Sequence, residues 1–403
     1  MAGGVATHLA HLAAGMVPRA DTEPYVFGTN VVASTPRAWL GPSAERGYPL
    51  LRHYAPSHLL GFARPGYMAR IRTRAIARYA LEARAQEGSR REWLSHALWY
   101  SYFLRTIEPD VVHVQHPLER YSYVRWVKSL EGHGWPVVVT AHSFFGEHSP
   151  EVIDRLMAPN LRSADRVIAV SPHIADQAIE LGARPERVRV IRSGVDTRRF
   201  RPRARLAARQ RLGVGPDTPL VLFVGNLEPR KQVHVLLDAL ATLDQALLVV
   251  VGSGESAGAD DQTRHLAQRT RSLGLCQRVR YVGRIADQVL LEWYAAADVF
   301  ALPSSSEAQG IVALEAMAAG LPVVASAVGG LLGTIDDQRT GFLVPAGDAL
   351  ALAARLRLLL ERPELRAQIG TAARAAVERD FTWQRAVDAT CEVYREAVTC
   401  RAA

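Results

Sequence analysis

Two glutamates, Glu307 and Glu315, stand in the stretch SSSEAQGIVALEAMAAG (304–320) with seven residues between them. A strand-like run, DVFAL (298–302), precedes them. PSSSEAQ then makes a loop, and GIVALEAMAA reads as a helix closed by Gly320 and followed by Pro322. Glu307 therefore belongs to a loop at the carboxyl end of a strand. The amides of Gly310, Ile311 and Val312 open the helix and form an anion site. Glu315 comes more than a turn later, beside Leu314, Met317 and Ala318. An unpaired carboxylate is costly in such surroundings, and a pair of ligand hydroxyls would satisfy it. Eight helical positions span ~12 Å, whereas glycosidase acid/base pairs lie roughly 5 to 9.5 Å apart. Two separate contacts fit the pair better than one shared bond. The plainer reading of Glu315 is a partly exposed helix residue.

A second loop, GNLEPRKQ (225–232), lies between the strand LVLFV and the helix VHVLLDAL. Gly225 ends the strand and lets the backbone turn. Arg230 and Lys231 then arrive at a helix N-terminus, where a cation opposes the helix dipole. The placement suits a bound anion, because free amides and side-chain charge point the same way. Lysine is rare here: of 48 basic residues only Lys128 and Lys231 are lysines. The alternative is two solvated basic residues at a turn. A third loop, in VVVTAHSFFGEHS (137–149), places His142 just after a buried strand, with His148 nearby. A lone histidine is as readily structural as functional.

The elements that must position these loops alternate along almost the whole chain. Strands are expected at 110–114, 136–141, 166–170 and 187–192. A second series is expected at 220–225, 247–252, 278–283, 298–302 and 322–326. Apolar strands separated by helical patterns imply parallel sheets covered on both faces. Two series imply two doubly wound, Rossmann-like α/β domains facing across a cleft, divided within the Arg-, Pro- and Gly-rich stretch 193–219. Ligands of such sheets bind beyond the carboxyl ends of the strands.

Bulk properties agree with a globular chain: 403 residues, 48% hydrophobic and 22% charged. No run reads as a membrane span, and the first residues lack the pattern of a signal peptide. Cys276, Cys391 and Cys400 are few and show no metal spacing, which suits a reduced cytoplasmic setting. Net charge is +8, carried almost wholly by arginine. Lys128, on a helical stretch, is expected to be solvated. The segment Arg64 to Arg91 holds eight arginines against Glu82 and Glu87. It is either a solvated helix face or a surface that meets a phosphorylated acceptor or anionic membrane, the latter giving peripheral association. Nucleic acid is not expected, since aromatics do not interleave with the basic residues.

The joint order of ADRVIAVSPHI, IRSGVDTRRFRP, GNLEPRK…LLDAL, YAAADVFALPS and EAQGIVALEAMAAGLPVVAS resembles the retaining GT-B glycosyltransferases of the "group 1" class, family 4. The resemblance runs from Gly3 to about Val398. It implies an acceptor-side Rossmann-like domain over 1–195, a nucleotide-sugar domain over 215–380 and a final helix, 381–403, crossing back. It implies sugar transfer from a UDP-, GDP- or ADP-sugar to an acceptor, which could be a glycan, lipid or small molecule, with retention of configuration and without a metal. Lys231 would bind the donor diphosphate with Arg230, Asn226 and Gly225. Glu315 would take the ribose hydroxyls, and Glu307 would contact the donor sugar near the reacting carbon. The amides of Gly310, Ile311 and Val312 would hold sugar and diphosphate. His142 would hold the sugar from the N-terminal domain, and Ile285 would meet the base through its backbone. Gly3 and Gly4 match the family's Gly-Gly loop.

Three departures stand out. Many relatives carry Arg where this chain has Asn226. Relatives often have Gly-Phe-Gly where this chain has Ala308-Gln309-Gly310, so Gln309 is expected to alter the surface beside the sugar. Relatives also open on a strand before the Gly-Gly loop. The first strand of the N-terminal sheet is therefore expected to be missing, and the natural start codon to lie upstream. Two rival readings share the architecture: a non-catalytic nucleotide-sugar binder and a GT-B sugar-nucleotide epimerase.

Overall fold

A computed structural model describes residues 4–16, 26–28, 50–52, 104, 109–117, 124, 127–128, 134–144, 153–253 and 259–402. The basic segment Arg64–Arg91, Gly3 and His148 lie outside the described residues. The chain divides into two compact units. One comprises Arg192–Ala386 with Ser171–His173, and the other comprises most of the N-terminal half with Val387–Ala403.

The first of these units is built on six parallel strands. In chain order they are β7 (Leu220–Val224), β8 (Leu247–Val251), β9 (Val279–Gly283), β10 (Val299–Leu302), β11 (Val323–Ser326) and β12 (Gly341–Val344), and their spatial order is β12-β11-β10-β7-β8-β9. Every residue of β7, β8, β10 and β11 is buried. That is what unbroken runs such as LVLFV and LLVVV require, since each face must meet a helix layer. β9 shows Arg280 and Tyr281 to solvent, as an edge strand can. The chain runs outward from β7 through β8 to β9, then returns to the other side of β7 for β10. The sheet's topological switch point thus lies between the carboxyl ends of β7 and β10, where open α/β sheets place ligands.

The stretch 193–219 is packed into this unit. Its helix Arg205–Arg211 is locked by Arg209, which is 1% exposed. Arg209 donates to the carbonyls of Ala296, Gly215, Pro216 and Thr218 at 2.8–2.9 Å and to Asp298 Oδ2 at 2.8 Å. Asp298 also accepts from Arg205 and from the amide of Leu220 at the start of β7. A buried guanidinium is tolerable only with its donors and charge answered in this way.

In the other unit, β3 (Val112–Val114), β4 (Val137–Ala141), β5 (Arg166–Ala169) and β6 (Val188–Val190) form a parallel sheet in that order. β1 (Val26–Gly28) and β2 (Leu50–Arg52) pair separately. Gly4 opens a helix that runs to Met16, so the first described element is helical. The helix Trp383–Ala402 packs Val387 and Cys391 against Leu12 and Met16. Its Glu396 accepts from Arg166 and Arg189 of β5 and β6. Lys128 is not simply solvated: it pairs with Asp165, whose carboxylate also caps the amide of Val137.

Candidate active site

The loop after β7 carries Lys231, and the loop after β10 carries Glu307. The switch point brings them together. Pro229–Lys231 form a short 3-10 turn, and the helix Val233–Ala241 follows. Lys231 is 8% and Glu307 6% exposed, and Lys231 Nζ donates to Glu307 Oε1. Ser304 Oγ donates to the same oxygen at 2.9 Å. Arg230 Nη1 lies 3.9 Å from Glu307 Oε2, while its Nε donates to Glu228 at 2.6 Å. The two loops are also stitched through the backbone, the amide of Ser305 donating to the carbonyl of Arg230 at 2.7 Å. Lysine has three ammonium donors. One is spent on Glu307, so the carboxylate holds the ammonium in place and leaves two donors for an anion. Asn226 is exposed, its amide turned toward Glu228 at 3.4 Å.

Gly310 caps the helix Ile311–Ala318 with φ 81°. A side chain there would be strained, and a Cβ would lie 2.5 Å from Leu331 Cδ2. The glycine therefore lets the chain turn sharply from Glu307 into the helix. The amides of Ile311 and Val312 begin that helix, so they lack intrahelical partners and carry its positive dipole end. Both residues are partly exposed.

Glu315, half-buried on the same helix, accepts from Tyr294 Oη at 2.9 Å. Burial pushes its carboxyl up to about 7, and the Tyr294 hydrogen bond pulls the other way. Tyr294 is 1% exposed and also reaches the carbonyl of Val312 at 3.4 Å. Sequence reasoning missed this partner, because YAAAD reads only as an apolar helix end. Ile285, half-buried, follows β9 in the loop before the helix Asp287–Ala296. Gln309 departs from its expected place: it is 4% exposed, with its amide bonded inside the fold and not on a surface beside the loop.

In the other unit, His142 follows β4. Its Nε2 lies 3.3 Å from Gln115 Oε1, and its ring meets His8 edge-on at 4.6 Å. Burial, and then the neighbouring His8, His116 and His113, hold it well below the ordinary histidine range. His113, not singled out from the sequence, sits between Tyr394 Oη at 2.6 Å and Thr140 Oγ1 at 2.7 Å. Burial lowers it to about 3. Gly4 stands at the start of the helix Gly4–Met16.

Residues 205–376 match the family described as Glycosyl transferases group 1, and residues 2–199 match Glycosyltransferase Family 4. The D-inositol 3-phosphate glycosyltransferase of Saccharomonospora viridis is 37% identical over 307 residues, covering 72% of this chain and 70% of that protein. The chain belongs to the family 4 glycosyltransferases. The enzyme of the same name from Streptomyces scabiei is also 37% identical, over 314 residues, with 72% and 68% covered. Among solved structures, sucrose-phosphate synthase from Thermosynechococcus elongatus superposes with a TM-score of 0.79 at 24% identity, covering 99% of this chain and 94% of that one. Anabaena HepE in complex with UDP-glucose gives 0.73 at 23% identity, covering 98% and 97%. These likenesses establish the GT-B fold. Membership of this family makes the chain a glycosyltransferase that moves a sugar from a nucleoside-diphosphate sugar. Among the described residues, no cluster of three metal-ligating side chains occurs and no helix is long and apolar enough to cross a membrane.

Proposed function

We propose that this glycosyltransferase transfers a hexose with retention of configuration and without a metal ion, using the switch-point loops as the donor site. The observation that carries the reading is the Lys231–Glu307 pair beside the free amides of Ile311 and Val312. The leaving group is a nucleoside diphosphate that gains negative charge as the anomeric carbon–oxygen bond breaks. A fixed ammonium and helix-terminal amides meet that charge without reorganising, which is where electrostatic catalysis is strongest. Arg230 adds a second positive charge, and Gly225 and Asn226 line the same loop. Glu315, held by Tyr294, takes the ribose hydroxyls through its remaining lone pairs, and Ile285 meets the base through its backbone.

Glu307 stands where a carboxylate faces the donor sugar near its reacting carbon. The acceptor oxygen bonds that carbon from the side the phosphate leaves, and the acceptor proton passes to the departing phosphate oxygen. His142, kept neutral by burial, is the sugar ligand assigned to the N-terminal unit, with Gly3 and Gly4 as backbone contacts. The setting is cytoplasmic, with the Arg64–Arg91 segment as the contact for anionic lipid.

The test is a transfer assay followed by NMR of the product's anomeric proton. D-inositol 3-phosphate is the first acceptor to try, since two relatives carry it in their names. Product with the donor's configuration, at a rate unchanged by EDTA, is expected. An inverted product, or a rate abolished by EDTA and restored by a divalent ion, overturns the reading. Donor bound without turnover on a broad acceptor panel would favour the non-catalytic binder.

A further inference from the structure

Gln309 lies between Glu307 and Gly310, yet its side chain turns away from both. Its Oε1 accepts from the amide of Ser193 at 2.9 Å, and its Nε2 donates to the carbonyl of Ser193 at 2.9 Å. Both residues are buried, at 4% and 3% exposure. One amide thus pairs with both backbone groups of a single residue 116 positions away. This is a register-specific grip: a slip of one residue breaks both bonds and leaves buried polar groups unanswered.

Ser193 is no ordinary partner. Apart from the short excursion of Ser171–His173, the chain enters the Arg192–Ala386 unit at Ile191–Arg192 and leaves it at Ala386–Val387. Just past Ser193 the two passages are clasped together. The amide of Val195 donates to the carbonyl of Phe381 at 2.9 Å, and Val195 bridges Thr382 in parallel. Gly194 permits this approach, because a Cβ there would lie 2.2 Å from the amide nitrogen of Trp383. A cavity of about 700 Å³, lined in part by Arg192, Thr334 and Phe381, borders the clasp.

The other end of the grip is equally well tied. The carbonyl of Glu307 accepts from the amide of Gly330 at 2.8 Å, and that of Gln309 accepts from Thr334 Oγ1 at 3.0 Å. The Glu307–Gly310 loop is thus bonded on one side to Gly330 and Thr334 and on the other to Ser193.

We infer that Gln309 is a positioning residue that couples the donor loop to the paired chain crossings, so that filling the loop and ordering the crossings are one event. This rests on the reading that the loop holds the nucleotide sugar. The coupling acts through backbone geometry and not through contact with donor or acceptor.

The test combines hydrogen exchange with kinetics on the full chain. UDP, GDP and ADP are the probes, and Gln309→Met and Gln309→Glu the variants. Binding of one nucleotide by the wild type checks the donor reading on its own. In the wild type that nucleotide should slow amide exchange over 193–195 and 381–383 by about tenfold, the scale of one hydrogen bond. Gln309→Met should exchange faster there without ligand and lose the ligand's effect. Its kcat should fall at least about tenfold, against a change of less than about threefold in nucleotide Kd, for a lost grip of the same scale.

Gln309→Glu guards against a simple folding defect. When ionised, the introduced carboxyl keeps the acceptor for the Ser193 amide but opposes the Ser193 carbonyl. When protonated it restores the donor. Its kcat relative to wild type should therefore recover as pH falls, which a merely structural lesion does not do. Equal ligand protection of 193–195 in wild type and Gln309→Met, or a Gln309→Glu deficit that does not change with pH, overturns the proposal. If the wild type binds none of the three nucleotides, the donor reading fails and the coupling fails with it.

Discussion

At the scale of the residue, Glu315 offers a chemical signature. Burial raises its carboxyl to about 7 in the folded chain, against a model-compound value of about 4.3. Between these values the unfolded chain has released a proton that the folded chain keeps, so the stability Glu315 contributes is full below about 4.3 and declines toward about 7. In the proposed role Glu315 accepts two ribose hydroxyls, for which the ionised, acceptor-only form is the better partner. Nucleoside-diphosphate affinity should therefore rise as pH climbs through about 7, while inorganic pyrophosphate affinity should not share that step. Glu315→Gln should flatten the profile. Tyr294→Phe should move the step to higher pH, because the hydrogen bond that favours the carboxylate is gone. Calorimetric titration across pH 6 to about 9, bracketing the raised value, reads all three; a step that persists in Glu315→Gln would assign it to another group. Glu315 itself was legible as a carboxylate needing a partner. Tyr294 was not, since no local pattern links residues 294 and 315.

At the scale of the element, the strands were the most legible feature. LVLFV, LLVVV, VFAL and VVAS declare themselves as buried because nothing polar interrupts them. β12 escaped notice: GFLV opens on a glycine straight after the polar stretch DDQRT, which leaves an apolar run of only FLV. The supports between elements were not legible. Arg209 and Asp298 are 89 positions apart, and Gln309 and Ser193 are 116 apart, so only the fold reveals them. The same is true of His113, which joins β4 to the C-terminal helix through Thr140 and Tyr394. Burial holds His113 at about 3 and His8 at about 4, below the ordinary ~6.5. Both are neutral in the folded chain, while the unfolded chain takes up protons below about 6.5. Their contribution to stability is full above about 6.5 and is lost progressively as pH falls toward about 4, at up to ~1.4 kcal/mol per pH unit for each group. Thermal melts from pH 7 to about 4.5, within that window, should show the unit containing β3–β6 losing stability. His113→Gln should lessen the slope, and an unchanged slope would place the acid sensitivity elsewhere.

At the scale of the whole molecule, family membership and the GT-B fold rest on motifs spread along the chain, each at the end of a strand or the start of a helix. That spacing is what made the architecture readable before any geometry was known. The proposed donor site is narrower: the loops after β7 and β10, with Lys231 and Glu307 at their meeting point, would hold the diphosphate of the donor. Removing Lys231 also leaves the buried Glu307 carboxylate poorly partnered, so folding of the variant is confirmed by circular dichroism first. The most direct measurement is then calorimetric titration of wild type and Lys231→Ala with UDP, GDP and ADP. One nucleotide should bind the wild type and lose about 10- to 100-fold in affinity in the variant, as for a charged hydrogen bond worth ~1.5–3 kcal/mol. Undiminished binding by a folded Lys231→Ala, or no binding by the folded wild type, would contradict the account.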